Sequence, residues 1–558
     1  MRMFRRAFLA QFLLLAAAWP QGVEKDLHVR VRMRDGVHLC TNVFRPGGKQ
    51  RVPALLVRTP YGKGPDLAAA YEPFLKAGYA VVVQDVRGRG HSEGAFRPLE
   101  QEEHDGYDTL AWIAGQSWCN GRIGMVGASY LGIVQWKAAL SGSPYLKAIS
   151  PAVAGSDEFE DRFYSKGGAM KLGHRLSWLA ANLRLPQLPE PKFEEYVRHL
   201  PLRTSDRAAA GRQIDFWQAA LDHPAYDDYW RAVSTREHIA QVKVPALIFA
   251  GWYDNFAEND LEAFRLLRQM GREARIVVGP WPHNVPSGFA GFDFGPEANL
   301  PIRRIQLEWF DRWLKGINKD QDLSGEARAR LFLMGANRWK EAKEWPPPSE
   351  PLRLYLWNGG RLSVKTPPRR SKPDSYVYDP RNPAPTMGGA VCCNPKIFPW
   401  GPMDQRPLET RKDVLVFSTE PLKEDLEVTG PVRAVLWVST SAPDTDFTAK
   451  LIDVWPDGRA VNLCDGILRL RYRNSLERLE AAKPGQIYRV TIEAGVTSNL
   501  FRKGHRIRLH ISSSNFPRFD RNPNTGRPIA GETELQTARQ TLYHDAGRPS
   551  HLLLPVEK

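Results

Sequence analysis

Cysteine is scarce in this chain, which argues against a fold held together by disulfides or by a cysteine-bound zinc ion. The five cysteines are too few and too scattered for a disulfide scaffold: Cys40, Cys119, Cys392, Cys393 and Cys464. They form no CxxC pair and no Cys/His cluster, so the sequence predicts no zinc site. We expect neither a metal nor a cofactor, and the sequence does not decide which cysteines would pair in a disulfide.

The chain also lacks long basic runs and, after the N-terminus, long apolar runs. Lys and Arg number 77 against 62 Asp and Glu, which gives a net charge of +15, but these charges are scattered. A scattered surplus indicates a solvated basic surface, so nucleic-acid binding is not predicted. No later apolar run is long enough to cross a membrane, so we expect no membrane span in the mature chain. The sequence leaves open whether the protein forms a homo-oligomer.

Residues 1–22 have the pattern of a secretory signal peptide. Met1–Arg6 is basic, and Ala7–Ala18 is apolar and ends in three alanines suited to cleavage. This apolar run is too short for a comfortable membrane span. The alternative is an N-terminal helix of the fold. The pattern predicts a secreted or periplasmic protein.

The rest of the chain divides into three regions by pattern, as its length of 558 residues suggests. Residues 23–150 and 241–320 alternate apolar strands with amphipathic helices, which is typical of an α/β fold with a parallel sheet. Residues 151–240 show helical periodicity without strands and are predicted to form an inserted helical cap. Residues 325–558 contain short alternating strands between Pro, Gly and Asp turns, which predicts an all-β sandwich or jelly roll. Within this region, residues 359–412 are expected to form long excursions.

Ser129 lies where an apolar strand passes into a helix. It is flanked by small residues, as a nucleophile elbow requires, because the sharp turn lifts the serine Oγ clear of the sheet. The motif departs from G-x-S-x-G, since Leu131 occupies the second glycine position and the glycine follows at Gly132. Taken alone, the stretch also fits a structural serine in a glycine-rich turn.

Two more polar residues follow apolar strands, and they complete a catalytic pattern. Asp254 and His283 each come directly after such a strand or within four residues of it. The chain order Ser, Asp, His is that of α/β-hydrolase triads, and loops at the carboxyl ends of parallel strands meet at one edge. We therefore predict Ser129 as nucleophile, His283 as general base and Asp254 as the residue that orients the imidazole. The backbone N–H of Tyr130 is one expected oxyanion donor, and residues 59–63 are expected to supply the second.

These motifs resemble those of the family that contains cocaine esterase, the α-amino-acid ester hydrolases and the S15-type Xaa-Pro dipeptidyl-peptidases. The family's G-x-S-Y-x-G matches residues 127–132, its T-P-Y matches residues 59–61, and its G-P-W-x-H matches residues 279–283. The resemblance implies an α/β-hydrolase with an inserted helical cap and a C-terminal all-β jelly-roll domain. It also implies that the hydroxyl of Tyr61 is the second oxyanion donor.

The resemblance bears on the substrate as well. Amino-ester hydrolases of the family place acidic residues two and three positions after the catalytic aspartate, where this chain has Phe256 and Ala257. This difference argues against an amino ester, and Phe256 resembles the phenylalanine that lines the acyl pocket of cocaine esterase. Ordinary core packing is the alternative for Phe256. Trp281, within the histidine motif, is a further candidate for substrate binding.

Acidic residues begin the cap and could anchor a substrate amine. They are Glu158, Glu160 and Asp161. The alternative is that they are solvated helix charges, which is the commoner role of such residues.

We predict an exported serine hydrolase that cleaves a small-molecule carboxylic ester, or an activated amide, through an acyl-serine intermediate. The alternative is an Xaa-Pro dipeptidyl-peptidase or acylase of the same family. A carbohydrate-binding protein is a third class, since jelly rolls often bind glycans, but such a protein would not need Ser129, Asp254 and His283.

Overall fold

A computed structural model describes residues 22–98, 100–318, 327–392 and 394–557. The predicted signal peptide, residues 1–22, lies outside the described residues apart from Gly22. Over the described ranges, no helix combines the length and apolar character that a membrane crossing needs. Cys40, Cys119 and Cys464 are free thiols and Cys392 is disulfide-bonded, so the pairing left open by the sequence does not involve the first three.

The first described sheet carries the α/β part of the molecule. Its ten strands lie in the order β1-β2-β4-β3-β5-β6-β7-β8-β9-β10 within the described chain. The strands are β1 (Val23–Arg32), β2 (His38–Pro46), β3 (Val52–Thr59), β4 (Ala80–Asp85), β5 (Cys119–Ala128), β6 (Leu146–Ala152), β7 (Ala246–Gly251), β8 (Ala274–Gly279), β9 (Ala329–Leu333) and β10 (Arg338–Ala342).

The centre of this sheet is parallel. From β4 through β9, each neighbouring pair of strands runs in the same direction, while β1, β2 and β10 add antiparallel edges. Every residue of β4, β7 and β8 is buried, because helices cover both faces of a parallel sheet. The carboxyl ends of β3, β5, β7 and β8 therefore meet at one edge, where ligands of such folds bind.

Ten helices of the described chain accompany this sheet, and five of them form the predicted cap. They are α1 (Glu72–Lys76), α2 (Glu102–Ala114), α3 (Tyr130–Leu140), α4 (Leu172–Leu183), α5 (Phe193–Arg198), α6 (Ser205–Ala210), α7 (Asp215–Asp222), α8 (Asp228–Val233), α9 (Ala257–Gln269) and α10 (Ile302–Phe310). Helices α4 to α8 lie between β6 and β7 and pack around the buried indoles of Trp217 and Trp230. A π-helical turn, Phe159–Phe163, precedes them.

The α/β region extends further along the chain than the sequence predicted. The predicted boundaries end it at residue 320 and begin the jelly roll at residue 325. Strand β9 instead pairs in parallel with β8, and β10 pairs with β9, so the sheet continues to Ala342. The apolar residues of β9, up to Leu333, are buried in the core of this sheet, so the α/β region extends past the predicted boundary.

The C-terminal region is a β domain with one short α-helix in the described residues. Its elements are β11 (Glu350–Trp357), β12 (Arg361–Ser363), β13 (Asp374–Tyr378), α11 (Arg406–Glu409), β14 (Leu415–Ser418), β15 (Leu426–Thr440), β16 (Asp446–Val454), β17 (Ala460–Arg469), β18 (Tyr488–Phe501), β19 (Arg506–Ser512), β20 (Ala538–Tyr543) and β21 (His551–Val556). Strands β12 and β13 fall where the sequence predicted long excursions. Both are short and flanked by Pro and Gly, which obscured their pattern.

This β domain contacts both other parts through buried hydrogen bonds. The hydroxyl of Tyr253, beside the end of β7, donates to the carbonyl of Asn462 across 3.0 Å. In the cap, the backbone N–H of Met170 donates to Asp520 Oδ1 across 2.7 Å. Arg469 of the β domain forms an ion pair with the same carboxylate at 2.9 Å. Asp520 is therefore bound by the cap and by its own domain.

Candidate active site

Ser129 is held in an unusual backbone conformation between β5 and α3. Its φ is 58° and its ψ is −126°, a region in which a non-glycine residue is strained by about 1–3 kcal/mol. The surroundings hold this turn, because the Ser129 N–H donates to the carbonyl of Ala152 across 2.9 Å. Its carbonyl accepts from the amides of Gly132 and Ile133. The strain and its support are those of a nucleophile elbow.

The packing of α3 explains why glycine stands at position 132 and leucine at position 131. A Cβ on Gly132 would lie 2.6 Å from the Cβ of Ala154, closer than two carbon atoms can approach. Leu131 is half-buried. A Cβ on Gly127 would lie only 2.5 Å from the Cβ of Leu131. The crowded positions of this elbow are therefore 127 and 132, and position 131 has room for a side chain.

Asp254 and His283 are brought together at the ends of β7 and β8. His283 Nδ1 lies 2.7 Å from Asp254 Oδ1, and the other carboxylate oxygen accepts the N–H of Phe256 across 2.9 Å. Both side chains are buried. A carboxylate accepts from Nδ1 only when that nitrogen carries a proton, so in the neutral imidazole Nε2 is the nitrogen that can accept one.

A second buried carboxyl, Asp260 on α9, lies near this pair. Its Oδ1 accepts the N–H of Gly155 across 2.9 Å. Burial, and then the negative charge of Asp254, raise the pKa of Asp260 well above its ordinary value. The protonated form of Asp260 is therefore favoured more strongly than that of an exposed aspartate. The sequence does not reveal this residue, because an aspartate within a helical pattern gives no sign of whether it is buried.

Tyr61 lies in the loop after β3, the strand next to β5. Its side chain is 46% exposed, although its hydroxyl accepts the indole N–H of Trp178 on α4 across 3.2 Å. Asp85 holds the backbone of this loop, because the Lys63 N–H donates to Asp85 Oδ1 across 2.6 Å. The last residue of β4 thus supports this loop.

Tyr130 directly follows the serine and is the first residue of α3. Its backbone N–H belongs to the first helical turn, whose amides have no acceptor within the helix. These amides and the helix dipole favour negative charge at this end of α3. The phenol points away into the core and donates to Glu102 Oε1 across 2.7 Å, so only the amide is available to a ligand.

Phe256 packs against the histidine of the Asp–His pair. Its ring centroid lies 5.4 Å from that of His283 and 5.7 Å from that of His174 on α4. The sequence analysis missed the position of His174 and the contact from Trp178 to Tyr61. Their spacing of four residues on a helix is the one available signal, and it does not reveal what the helix faces.

The expectation that Trp281 binds substrate does not hold. Its side chain is 1% exposed, its indole N–H donates to the carbonyl of Ala298 across 2.7 Å, and its ring packs against Trp339. The residue lies in the core beneath the sheet edge. Its place in the motif therefore reflects packing: a Cβ on Gly279 would lie 2.2 Å from the indole of Trp281.

The three acidic residues at the start of the cap are buried, so their interpretation as solvated helix charges is wrong. Glu158 pairs with Arg162, and Glu160 pairs with Arg236 at 2.9 Å. Asp161 Oδ2 accepts the backbone amides of residues 156 and 157. Each carboxylate therefore already has a partner within the protein.

The fold and the strained serine define an α/β serine hydrolase. Comparison with known proteins agrees. The family described as X-Pro dipeptidyl-peptidase (S15 family) matches residues 35–285, and the X-Pro dipeptidyl-peptidase C-terminal non-catalytic domain matches residues 322–553.

No group of three His, Cys, Asp or Glu side chains that could hold a metal ion occurs in the described ranges.

Individual relatives extend over the whole chain. Cocaine esterase of Rhodococcus sp. (strain MB1 Bresler) is 41% identical over 570 residues, which cover 95% of this chain and 98% of that protein. A crystallised aminopeptidase from the marine sediment archaeon Thaumarchaeota archaeon superposes with a TM-score of 0.85 at 27% identity and covers 100% of this chain and 99% of its own. An α-amino acid ester hydrolase superposes with a TM-score of 0.83 at 28% identity, with 99% and 98% covered. The chain belongs to the family of cocaine esterase and is a serine ester hydrolase.

Proposed function

We propose that this protein is an exported hydrolase that cleaves a small-molecule carboxylic ester through an acyl-enzyme on Ser129. The observation that carries the proposal is the hydrogen bond between Asp254 and His283 at the ends of β7 and β8, which lie at the same edge of the sheet as the serine elbow after β5. His283 Nε2 takes the Ser129 proton as Oγ attacks the ester carbonyl, and it returns that proton to the departing alcohol. Water then attacks the acyl-serine by the same route.

Two donors would stabilise the oxyanion in this mechanism. One is the Tyr130 amide at the N-terminus of α3. The other is the Tyr61 hydroxyl, whose oxygen accepts from Trp178 and whose own proton is thus left to donate to a substrate oxygen. Preorganised donors of this kind act most strongly on the charge that develops in the transition state.

A peptidase or acylase on the same residues is the second candidate, since one structural relative is an aminopeptidase. Such an enzyme needs an anionic anchor for the free amine of its substrate. The candidates that the sequence offers are the carboxylates at the start of the cap, and Arg162, Arg236 and backbone amides already bind them. This favours the ester, with Phe256 as one wall of the acyl pocket.

A fluorophosphonate probe tests the nucleophile. We expect the wild type to be labelled and Ser129→Ala to remain unlabelled, with Ser141→Ala, just beyond α3, as the matched control that labels normally. Labelling that persists in Ser129→Ala would contradict the proposal. Turnover of p-nitrophenyl butyrate and of Gly-Pro-p-nitroanilide then separates the two candidates, because faster amide cleavage would favour the peptidase.

Export is tested separately by the location of the full-length chain. We expect processing near residue 22 and recovery of the enzyme outside the cytoplasm, and an unprocessed N-terminus would contradict this part of the proposal.

A further inference from the structure

We infer that Glu102, the first residue of α2, is a positioning residue that aligns the two proposed oxyanion donors, the Tyr130 amide and the Tyr61 hydroxyl. The inference rests on the proposed function, because it assigns Glu102 a role in the same serine site.

One oxygen of the Glu102 carboxylate holds the residue that follows the nucleophile. Glu102 Oε1 accepts the phenolic O–H of Tyr130 across 2.7 Å, and both side chains are buried. Burial, and then the negative charge of Glu102 and this hydrogen bond, raise the pKa of Tyr130 well above its ordinary value, so the phenol stays protonated and donates. Tyr130 is thereby held at its hydroxyl as well as at its place in α3, which restricts the direction of its amide.

The other oxygen of the same carboxylate holds the strand that leads to Tyr61. Glu102 Oε2 accepts from Arg58 Nη1 across 2.7 Å. The Arg58 guanidinium is fully buried, and its Nε donates to Gln84 Oε1 across 2.8 Å, which ties β3 to β4. Directly after Arg58, Thr59 Oγ1 accepts the backbone N–H of Tyr61 across 3.1 Å. The tyrosine loop therefore leaves β3 beside a residue that Glu102 binds.

One carboxylate thus connects the first turn of α3 with the end of β3, the two elements that supply the proposed donors. A shift of either element would break a buried hydrogen bond to an ionised group, which is stronger than a neutral one. An oxyanion hole works because its donors are aligned before the charge develops. A misplacement of about 1 Å can lower a rate about 10²-fold, so this link bears on catalysis as well as on folding.

A purely structural role for Glu102 makes different predictions. Removing one partner of a buried ion pair destabilises a protein, and the amount of folded enzyme then falls. A positioning role instead lowers kcat of each folded molecule and leaves KM nearly unchanged, because the donors act on charge that exists only in the transition state.

Tyr130→Phe is the first test, because it removes the hydroxyl and keeps both the ring and the amide. We expect kcat per active site for p-nitrophenyl butyrate to fall about 3- to 10-fold with KM nearly unchanged. Active sites are counted by complete titration with the fluorophosphonate probe. Tyr164→Phe is the matched control, since its buried cap hydroxyl donates to the carbonyl of Ala220 across 2.8 Å. Its kcat per active site should equal that of the wild type.

Glu102→Gln is the second test, because it keeps the shape of the side chain and removes its charge. We expect kcat per active site to fall about 10- to 100-fold, since both donors lose alignment. In the Tyr61→Phe background this loss should shrink, because one of the two donors is already absent. Asp446→Asn, which changes a buried pair with Arg469 in the β domain, is the matched control and should lower the unfolding temperature without changing kcat per active site.

Inhibition by butylboronic acid provides a readout that a structural role would not change. Ser129 Oγ adds to the boron as His283 takes its proton, and one boron-bound oxygen then lies where the oxyanion forms. The Ki should therefore rise in parallel with the loss of kcat/KM in Tyr130→Phe and Glu102→Gln. The two control variants should keep the wild-type Ki.

The outcomes separate this inference from the proposed function. Unchanged kcat and Ki in Tyr130→Phe overturn the inference and leave the serine hydrolase intact, and this arm decides if Glu102→Gln does not fold. Equal losses in the control variants also overturn it, because the effect would then belong to buried hydrogen bonds in general. An undiminished loss from Glu102→Gln in the Tyr61→Phe background overturns the alignment of both donors. A wild type that neither labels with fluorophosphonate nor cleaves the ester overturns the proposed function itself.

Discussion

Trp178 in the cap and Tyr61 in the loop after β3 are joined by a hydrogen bond of 3.2 Å from the indole N–H to the phenolic oxygen. The bond crosses between two regions that are 117 residues apart in the chain. This hydrogen bond restricts the direction of the Tyr61 O–H, because one lone pair of the phenolic oxygen accepts the indole N–H and the proton must point elsewhere. The cap therefore sets the geometry of a proposed oxyanion donor as well as the shape of the pocket.

We expect Tyr61→Phe to lower kcat about 10²- to 10³-fold with little change in KM, because the donor acts on charge that exists only in the transition state. The measurement is steady-state hydrolysis of p-nitrophenyl butyrate. Tyr145→Phe, a change at an exposed tyrosine, is the control and should behave as wild type. An unchanged kcat in Tyr61→Phe would remove this hydroxyl from the mechanism.

Trp178→Phe should have a smaller effect, because it removes one neutral hydrogen bond and leaves the phenol in place. We expect kcat to fall about 2- to 10-fold. In the Tyr61→Phe background the same change should cost almost nothing further, since the partner is absent. Additive losses in the double variant would mean that Trp178 acts through the pocket and not through Tyr61.

Asp254→Asn should lower kcat about 10⁴-fold, since an amide no longer holds the Nδ1–H tautomer of His283. Fluorophosphonate labelling should slow in parallel, which places the defect in serine activation. Asp457→Asn, in an exposed pair with Arg459, is the matched control. Labelling at the wild-type rate in Asp254→Asn would contradict the role of this carboxylate.

The strand-to-helix turn at Ser129 and the pairing of Asp254 with His283 could be predicted from the sequence, because each of these residues follows an apolar strand of a parallel sheet directly or closely. Such strands end at one edge, so chain order and strand position together specify proximity. The same reasoning failed for Trp281, since a motif does not show on which side of the sheet edge its members lie. It failed for Glu158 as well, because its burial and its contact with Lys137 arise only in the folded chain, although the spacing of four residues to Arg162 is visible in the sequence.

Asp260→Asn should change how stability depends on pH. The pKa of Asp260 is raised in the folded state, whereas in the unfolded chain it is about 4. The folded state then binds more protons, so this carboxyl contributes stability at low pH that is lost as pH rises above about 4 toward the folded pKa. We expect the variant to lose that contribution, so that its unfolding free energy falls less steeply with rising pH than that of the wild type.

Denaturant unfolding of Asp260→Asn and wild type at several pH values provides this measurement. Parallel curves for the two proteins would show that Asp260 ionises normally in the folded state.

Gly132→Ala should destabilise the protein by about 1–3 kcal/mol, because the new Cβ would meet that of Ala154 and force α3 away from β6. Thermal unfolding and esterase activity should both decline. Gly531→Ala is the control, since no atom lies within 4 Å of its Cβ position. Equal stability of the two variants would mean that the elbow has more freedom than its packing indicates.

The hydrogen bond from Tyr253 to Asn462 has a consequence for how the chain can be divided. Tyr253 immediately precedes Asp254, so the β domain holds the backbone that presents the proposed acid of the triad. Met170 and Asp520 connect the same domain to the cap. We therefore expect that a shortened α/β unit with its cap would keep the residues of the site but lose their alignment, so that an autonomous enzyme needs nearly the whole described chain.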